Sequence, residues 1–200
     1  MSVLVGKPAP DFTVPAVLGD GTIVDEFNLA ETIKGKPAIV FFYPLDFTFV
    51  CPSELIALDH RMDEFKERGV EIIGVSIDSH FTHNAWRNTP EDKGGIGPVH
   101  YTLAADMNHD ICQAYDVESE GGMAFRGAFI IDKNGIVRSQ LVNDLPLGRN
   151  IDELVRLVDA LQYHEKHGEV CPAGWQKGDA AMEESPDGVA KYLAENAEGL

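Results

Sequence analysis

Two short apolar runs, Ala38–Tyr43 and Val70–Ile77, constrain the fold most, because a helical pattern lies between them. Both runs are rich in β-branched and aromatic residues, which is typical of buried strands. The segment after Cys51 has apolar residues at helical spacing and a glycine where the helix is expected to end: Leu55, Leu58, Met62, Phe65 and Gly69. A strand, a helix and a strand in this order predict a parallel pair joined by a right-handed crossover.

The second half of the chain predicts an antiparallel pair followed by a long helix. Phe129–Ile131 and Ile136–Val142 flank Asn134-Gly135, and Asn-Gly between two apolar runs is a strong hairpin signal. Asn150 precedes a segment with one apolar face: Ile151, Leu154, Val155, Val158 and Leu161. Between the two halves we expect helices over residues 81–87 and 108–115 and a strand over residues 99–103. A β-α-β unit followed by β-β-α is the order of a three-layer, thioredoxin-like α/β fold.

Length, composition and charge limit both the architecture and the function. A chain of 200 residues with 44% hydrophobic content can bury one good core. Apolar segments are spread evenly until the last long helix, so we expect one domain over residues 1–165 and a C-terminal segment over residues 166–200. The formal net charge of −17 disfavours a nucleic-acid-binding surface, because neutralising phosphates requires clustered lysine and arginine.

The N-terminal residues and the cysteine count point to an intracellular location. Met1–Lys7 lacks a charged start followed by a long apolar stretch, so we expect neither a secretory signal nor a membrane-spanning helix. Three cysteines are too few and too scattered for a disulfide-stapled secreted fold, and no Cys-x-x-Cys or His-x-x-x-His pair predicts a metal site. We therefore expect a cytoplasmic protein without a membrane partner, metal or cofactor, in which individual cysteines carry any redox chemistry.

Cys51 lies where the first apolar strand runs into the helix. Pro52 suits a first helical position and Glu54 puts a carboxylate in the first turn, so Cys51 is expected at the cap. The positive end of the helix favours the thiolate, which is the nucleophilic form of cysteine. Thr48 can donate its hydroxyl to that thiolate, and Pro44, which has no N–H, can shield it from water. The alternative is that Cys51 is only a small core residue, the usual fate of a free cysteine.

The spacing Pro44-x-x-x-Thr48-x-x-Cys51 favours the reactive cysteine, because it resembles the peroxidatic signature of the peroxiredoxins. Cys171, within Glu-Val-Cys-Pro-Ala-Gly-Trp, is similar to the resolving cysteine of the typical 2-Cys group of that family. The resemblance extends over nearly all of the chain, since five such motifs occur in the family's order. It implies a thioredoxin-like fold with residues 8–36 as an N-terminal extension and a C-terminal tail that carries the resolving cysteine.

Two arginines extend the resemblance. Arg126, in Phe-Arg-Gly-Ala-Phe-Ile-Ile-Asp, is similar to the family's active-site arginine, and Arg149, in Asp-Leu-Pro-Leu-Gly-Arg, is similar to its second arginine near the sulfur. The candidate catalytic residues are therefore Pro44, Thr48, Cys51, Glu54, Arg126, Arg149 and Cys171.

The resemblance implies a peroxidase that reduces hydrogen peroxide and organic hydroperoxides. Cys51 would attack the O–O bond and become a sulfenic acid, while Arg126 and Thr48 hold the peroxide oxygens. Cys171 of one subunit would form a disulfide with Cys51 of its partner in an antiparallel homodimer, and thioredoxin or a flavoprotein disulfide reductase would open it. The segment Asp78–Trp86 is implied to lie near the contact between dimers in a decamer.

Other function classes stay open beside the peroxidase. An oligomeric holdase chaperone or a redox-relay protein leaves no motif, whereas a disulfide reductase needs two cysteines within one turn and Cys51-Pro52-Ser53-Glu54 has one. Gly94–Gly97 resembles a loop of easily over-oxidised peroxiredoxins, but Tyr192-Leu193 replaces their terminal Tyr-Phe. We therefore expect intermediate sensitivity to over-oxidation of the cysteine to a sulfinic acid. Cys112 has no capping or basic neighbours and is expected to be an inert core residue.

Overall fold

A computed structural model describes residues 2–199, and these residues form a mixed sheet of seven strands. The strands in chain order are β1 (Thr13–Val17), β2 (Ile23–Asn28), β3 (Ala38–Phe42), β4 (Glu71–Ser76), β5 (Thr102–Ala105), β6 (Arg126–Ile131) and β7 (Val137–Asn143). Their spatial order is β2-β1-β5-β4-β3-β6-β7, so β3 and β4 lie in the middle of the sheet.

The middle of the sheet confirms the predicted parallel pair. β3 pairs in parallel with β4, with Phe41 opposite Gly74, and β4 pairs in parallel with β5. Every residue of β3 is buried, which explains why its sequence is a continuous apolar run without alternation. On its other side β3 pairs antiparallel with β6, and β6 pairs antiparallel with β7, as the hairpin signal predicts.

β6 begins at Arg126, earlier than the sequence predicts. The sequence does not indicate this start, because arginine and glycine are not typical strand residues. The ladder nevertheless continues through both, with Arg126 opposite Asn143 and Gly127 opposite Val142. The hairpin turn depends on Gly135, whose φ of 78° is a left-handed conformation that glycine adopts without a steric cost. The early start of β6 places Arg126 at the first position of the strand next to β3.

The N-terminal residues belong to the sheet itself. β1 and β2 form an antiparallel hairpin, and β1 also pairs antiparallel with β5 through Ala16 and Val17, which are both fully buried. The N-terminal extension therefore adds two strands to the side of the sheet that ends with β5.

The α-helices within residues 2–199 are α1 (Leu29–Thr32), α2 (Cys51–Asp59), α3 (Met62–Glu67), α4 (His80–Arg87), α5 (Asp110–Ala114), α6 (Ile151–His167) and α7 (Pro186–Asn196). The single helix predicted after Cys51 is two helices, because the N–H of Arg61 donates to the carbonyl of Leu58, three residues back, and tightens the turn. The four apolar residues of the predicted face are all buried: Leu55, Leu58, Met62 and Phe65. The break therefore preserves the predicted buried face.

Three aromatic rings pack together in the core: Phe42 of β3, Tyr115 after α5 and Phe129 of β6. Their centroids lie 4.9 to 5.7 Å apart, within the range in which aromatic pairs stabilise a core beyond the area they bury. Cys112 belongs to the same core, as predicted. Its burial, together with the charge of Asp106, raises the pKa of the Cys112 thiol far above its ordinary value.

The described chain divides into two compact units, Met1–Ile151 and Asp152–Leu200. The first contains the sheet and the helices up to α5, and the second contains α7 and all but the first residue of α6. Within the second unit an isolated antiparallel bridge joins Val170 and Met182. Within residues 2–199 no helix combines the length and the apolar composition that crossing a membrane requires.

Candidate active site

α2 begins at Cys51, directly after the loop that leaves β3. Its first hydrogen bonds run from the N–H groups of Ser53 and Glu54 to the carbonyl oxygen of Val50, at 3.1 and 3.4 Å. Val50 therefore occupies the cap position, and the prediction that Cys51 caps the helix is wrong by one residue. Cys51 still lies in the first turn, at the positive end of the helix dipole, and it is only 1% exposed.

The hydroxyl of Thr48 lies within hydrogen-bond distance of the Cys51 sulfur. Its Oγ1 is 3.0 Å from Sγ and 2.7 Å from the carbonyl oxygen of Leu45. A hydroxyl has one proton, so it can donate to only one of these acceptors at a time. When the sulfur is a thiol, the hydroxyl can donate to Leu45 and accept from S–H. When the sulfur is a thiolate, the same hydroxyl can turn its proton to Sγ.

Arg126 reaches the same sulfur from the first position of β6. Its Nη1 lies 3.5 Å from Sγ of Cys51 and donates to Oε2 of Glu54 over 2.6 Å. Its Nε donates to the carbonyl oxygen of Leu145 over 2.6 Å, which fixes the plane of the guanidinium. The side chain is almost fully buried, so its charge acts on the sulfur with little screening by water.

Arg149 is held by Glu54. The backbone N–H and Nε of Arg149 both donate to Oε1 of Glu54, at 2.7 and 2.8 Å, and Nη2 donates to Oε2 over 3.2 Å. Nη1 donates to the carbonyl oxygen of Gly127 over 2.6 Å, and the guanidinium carbon lies 3.3 Å from the centre of the Phe41 ring. One buried carboxylate in the first turn of α2 therefore positions two buried arginines.

Glu54 is charged in this arrangement. Burial alone would raise the pKa of Glu54, but the hydrogen bonds and charge of Arg149, together with the charge of Arg126, outweigh burial and hold that pKa below its usual value. The site thus combines two guanidinium groups with one carboxylate, which leaves a net positive charge beside the Cys51 sulfur.

The sequence does not predict the buried polar network of this loop. The hydroxyl of Tyr43 donates to Oδ1 of Asp46 over 2.8 Å, and Nδ1 of His83 lies 2.8 Å from Oδ2 of the same carboxylate. The backbone N–H of Asp46 donates to Oδ2 of Asp78 over 2.8 Å. Pro44 is buried in the same segment. The sequence does show polar residues within an apolar segment. Spacing alone, however, could not predict that Asp46 contacts His83, which lies 37 positions later.

Cys171 lies in the second unit, after the end of α6. Its Sγ lies 3.6 Å from the carbonyl oxygen of Ala160, and the thiol is half-buried. Burial raises the pKa of Cys171, and the positive charge of Arg156 opposes that rise. Within residues 2–199 all three cysteines are free thiols: Cys51, Cys112 and Cys171.

Comparison with known proteins identifies the family. Residues 5–140 match the model of the AhpC/TSA family, and residues 160–195 match the C-terminal domain of 1-Cys peroxiredoxin. The chain is 55% identical over 195 residues to alkyl hydroperoxide reductase C of Helicobacter pylori, covering 98% of each chain. It is 49% identical over 193 residues to peroxiredoxin-2 of Cricetulus griseus, covering 96% of each chain.

Solved structures agree with the sequence comparison. The reduced 2-Cys peroxiredoxin of Plasmodium vivax superposes with a TM-score of 0.93 at 50% identity, and the match covers 96% of this chain and 100% of that one. The chain therefore belongs to the AhpC/TSA family of peroxiredoxins. Its fold is thioredoxin-like, as predicted, and the protein is a thiol peroxidase.

Proposed function

We propose that Cys51 is the peroxidatic cysteine and that the substrates are hydrogen peroxide and organic hydroperoxides. One observation supports this most: Oγ1 of Thr48 lies 3.0 Å and Nη1 of Arg126 lies 3.5 Å from Sγ of Cys51. A peroxide that approaches the sulfur would meet a hydroxyl and a guanidinium, and these groups can hold its two oxygens.

In the proposed reaction the thiolate attacks the terminal oxygen of the peroxide. The S–O bond forms as the O–O bond breaks, so Cys51 becomes a sulfenic acid, and the remaining oxygen takes a proton from solvent to leave as water or an alcohol. Negative charge moves from sulfur to the leaving oxygen, where Arg126 and Thr48 stabilise it with little rearrangement. Because sulfur supplies both electrons, the reaction requires neither a metal ion nor an organic cofactor.

Glu54 and Arg149 are positioning residues in this proposal. The carboxylate of Glu54 holds Nη1 of Arg126 over 2.6 Å, and Arg149 in turn fixes that carboxylate with three hydrogen bonds. We assign Pro44 the role of excluding water from the sulfur, since it is buried in the loop before Cys51 and has no N–H to hydrate.

The second half of the proposed cycle uses Cys171 in a C-terminal resolving segment, residues 166–200, of the partner subunit in an antiparallel homodimer. The likeness to a protein described as a 2-Cys peroxiredoxin supports this role. The Cys171 thiol condenses with the sulfenic acid, forming the S–S bond and releasing water. Because Cys51 is buried at the start of α2, the first turn has to unwind before the sulfurs can meet. Thioredoxin or a flavoprotein disulfide reductase then reduces the disulfide, which is consistent with action in the reducing cytoplasm.

Assembly of dimers into a decamer is part of the proposal. Phe81 of α4 is 68% exposed and Phe49, in the loop between β3 and α2, is 97% exposed, and exposed rings of this size often mark an interaction surface. His83 and Trp86, which the sequence implied near that contact, are fully buried, so within the Asp78–Trp86 segment we propose Phe81 as the contacting residue. Sedimentation of a Phe81→Ser variant should show dimers, whereas an unchanged decamer would exclude this contact.

The same exposed rings favour the holdase chaperone as a second function. A client-aggregation assay on the Cys51→Ser variant separates the two functions, because suppression of aggregation by exposed apolar surface does not need the thiol. Suppression that survives the substitution while peroxide consumption is lost would establish both functions in one chain. Loss of suppression with Cys51 would exclude a chaperone role independent of the redox cycle.

The test of the peroxidase mechanism combines a rate with a gel. Fully reduced protein is mixed with stoichiometric hydrogen peroxide, and the products are run on a non-reducing gel for wild type, Cys51→Ser and Cys171→Ser. We expect fast consumption that is lost with Cys51, and a disulfide-linked dimer that needs both cysteines. Cys171→Ser should reduce one equivalent and then fail to turn over with thioredoxin. Cys112→Ser is the matched control, and equal loss of activity in this variant would contradict the assignment.

A further inference from the structure

A second cluster of reactive side chains lies in the first unit, where α5 meets the segment that leads to β6. His109, directly before α5, Cys112 within α5 and Glu118 after it each present one ligand atom, and these three atoms lie within 4.8 Å of one another. None of these residues belongs to the proposed peroxidase site. We propose that His109, Cys112 and Glu118 form a zinc-binding site.

The donor set selects the metal. An imidazole nitrogen, a thiolate sulfur and a carboxylate oxygen together are typical ligands of Zn²⁺, whereas Mg²⁺ and Ca²⁺ prefer oxygen ligands alone. A thiolate and a carboxylate also balance the two positive charges of the ion. Tetrahedral zinc would take these three side chains and leave its fourth position to a water molecule.

Local structure holds the three ligands in place without a metal ion. His109 has a φ of 65°, a left-handed conformation that turns the chain into α5. The carboxylate of Asp106 accepts the backbone N–H of Cys112 over 2.8 Å, which fixes the start of that helix. Glu118 is fixed by an antiparallel bridge to Ala124. The ligands are therefore positioned by local structure that does not require an ion to form.

The proposed zinc site is partly exposed to solvent at two ligands and buried at the third. The side chains of His109 and Glu118 are 31% and 24% exposed, so an ion can reach them from solvent, while Cys112 is buried behind them. Nδ1 of His109 now lies 2.5 Å from Oε1 of Glu118. On binding, these two atoms would separate by about 1 Å to reach zinc at about 2.0 to 2.2 Å each. The imidazole would keep its proton on Nε2, and the Cys112 thiol would release its proton to solvent.

A bound ion would brace the hairpin that precedes β6. Glu118 and Ala124 close a hairpin in which the N–H of Ser119 donates to the carbonyl oxygen of Met123, and the chain then enters β6 at Arg126. Zinc would tie this hairpin to α5 through two side chains, so hydrogen exchange of the residues 118–125 should slow when the ion binds.

The test uses the 200-residue chain with Cys51→Ser and Cys171→Ser, because those two thiols could also bind zinc. Competition with a chromophoric zinc chelator should show one zinc per chain. Adding Cys112→Ser or His109→Asn should weaken zinc binding by more than about 100-fold. Loss of a residue that only hydrogen-bonds to a metal ligand weakens binding by at most about that factor. Asparagine tolerates the left-handed backbone of residue 109, so this variant keeps the local conformation.

His100→Asn is the matched control, because Nδ1 of His100 also lies 3.1 Å from an aspartate, Asp59, but no cysteine completes that pair. It should leave zinc binding unchanged. Cobalt substitution in the parent gives a second measurement that needs no further variant, since a thiolate ligand produces an intense near-ultraviolet charge-transfer band. Absence of zinc binding, zinc binding indifferent to Cys112, or cobalt without that band would each overturn the proposal and leave His109 and Glu118 as a hydrogen-bonded clamp.

Discussion

Arg149 donates two hydrogen bonds to one carboxylate oxygen of Glu54, from its backbone N–H at 2.7 Å and from Nε at 2.8 Å. The other carboxylate oxygen accepts from Nη1 of Arg126 over 2.6 Å. Glu54 is thus a buried negative charge between two buried guanidinium groups. Removing one member of such a set is costly, because the groups that remain are buried without compensation.

We expect Glu54→Gln to destabilise the protein by about 3 kcal/mol or more, since glutamine keeps the shape but leaves two buried positive charges unbalanced. The free energy of unfolding from chemical denaturation measures the effect. Glu153→Gln is the matched control, because Glu153 pairs with Arg156 at a partly exposed position where an ion pair contributes less than about 1 kcal/mol. Equal losses in the two variants would contradict the role of Glu54.

Glu54 should contribute to the pH dependence of the free energy of unfolding. Its pKa is lowered in the folded protein, because Arg149 and Arg126 outweigh burial. A lowered pKa contributes stability that is present above the unfolded pKa of about 4.3 and is lost as the pH falls through the folded value. The difference in unfolding free energy between wild type and Glu54→Gln should therefore be constant near neutral pH and shrink below about pH 4.3. A difference that grows on acidification would show that the folded pKa is raised.

The sequence predicts the central strands well because burial on both faces leaves an unmistakable pattern. β3 and β4 are apolar runs whose parallel pairing follows from the helix between them. Arg126 and Gly127 show the limit of this reasoning. Their strand conformation comes from pairing with β7, a tertiary effect that local composition does not carry.

The contacts of the candidate site likewise divide into those that the sequence predicts and those that depend on the fold. Thr48 and Cys51 are three residues apart around the start of one helix, so their contact could be predicted from spacing alone. The contact of Glu54 with Arg149 spans 95 positions, and only the resemblance to a family placed that arginine near the sulfur. The pairing of His109 with Glu118 was missed although they are nine positions apart, because a left-handed histidine before a short helix has no clear sequence signal.

Thr48 provides a direct test of catalysis. Thr48→Val removes the hydroxyl at 3.0 Å from the sulfur and keeps the side-chain shape, so the second-order rate constant with hydrogen peroxide should fall by about 100-fold or more. Thr48→Ser keeps the hydroxyl and should recover most of the rate. Stopped-flow measurement under single-turnover conditions checks both variants. A valine variant within a factor of about two of wild type would mean that the hydroxyl serves only Leu45.

We expect Arg156 to influence the reactivity of Cys171. Its Nη1 donates to the carbonyl oxygen of Trp175 over 2.9 Å, and its charge opposes the rise that burial imposes on the pKa of Cys171. Arg156→Gln should therefore raise that pKa further, whereas Arg156→Lys keeps the charge and should stay closer to wild type. The rate of alkylation of Cys171 against pH, measured by mass spectrometry with Cys51→Ser and Cys112→Ser in the background, reports the shift. A higher pKa leaves less thiolate at neutral pH and should slow disulfide formation, and identical pH profiles for all three proteins would remove Arg156 from the mechanism.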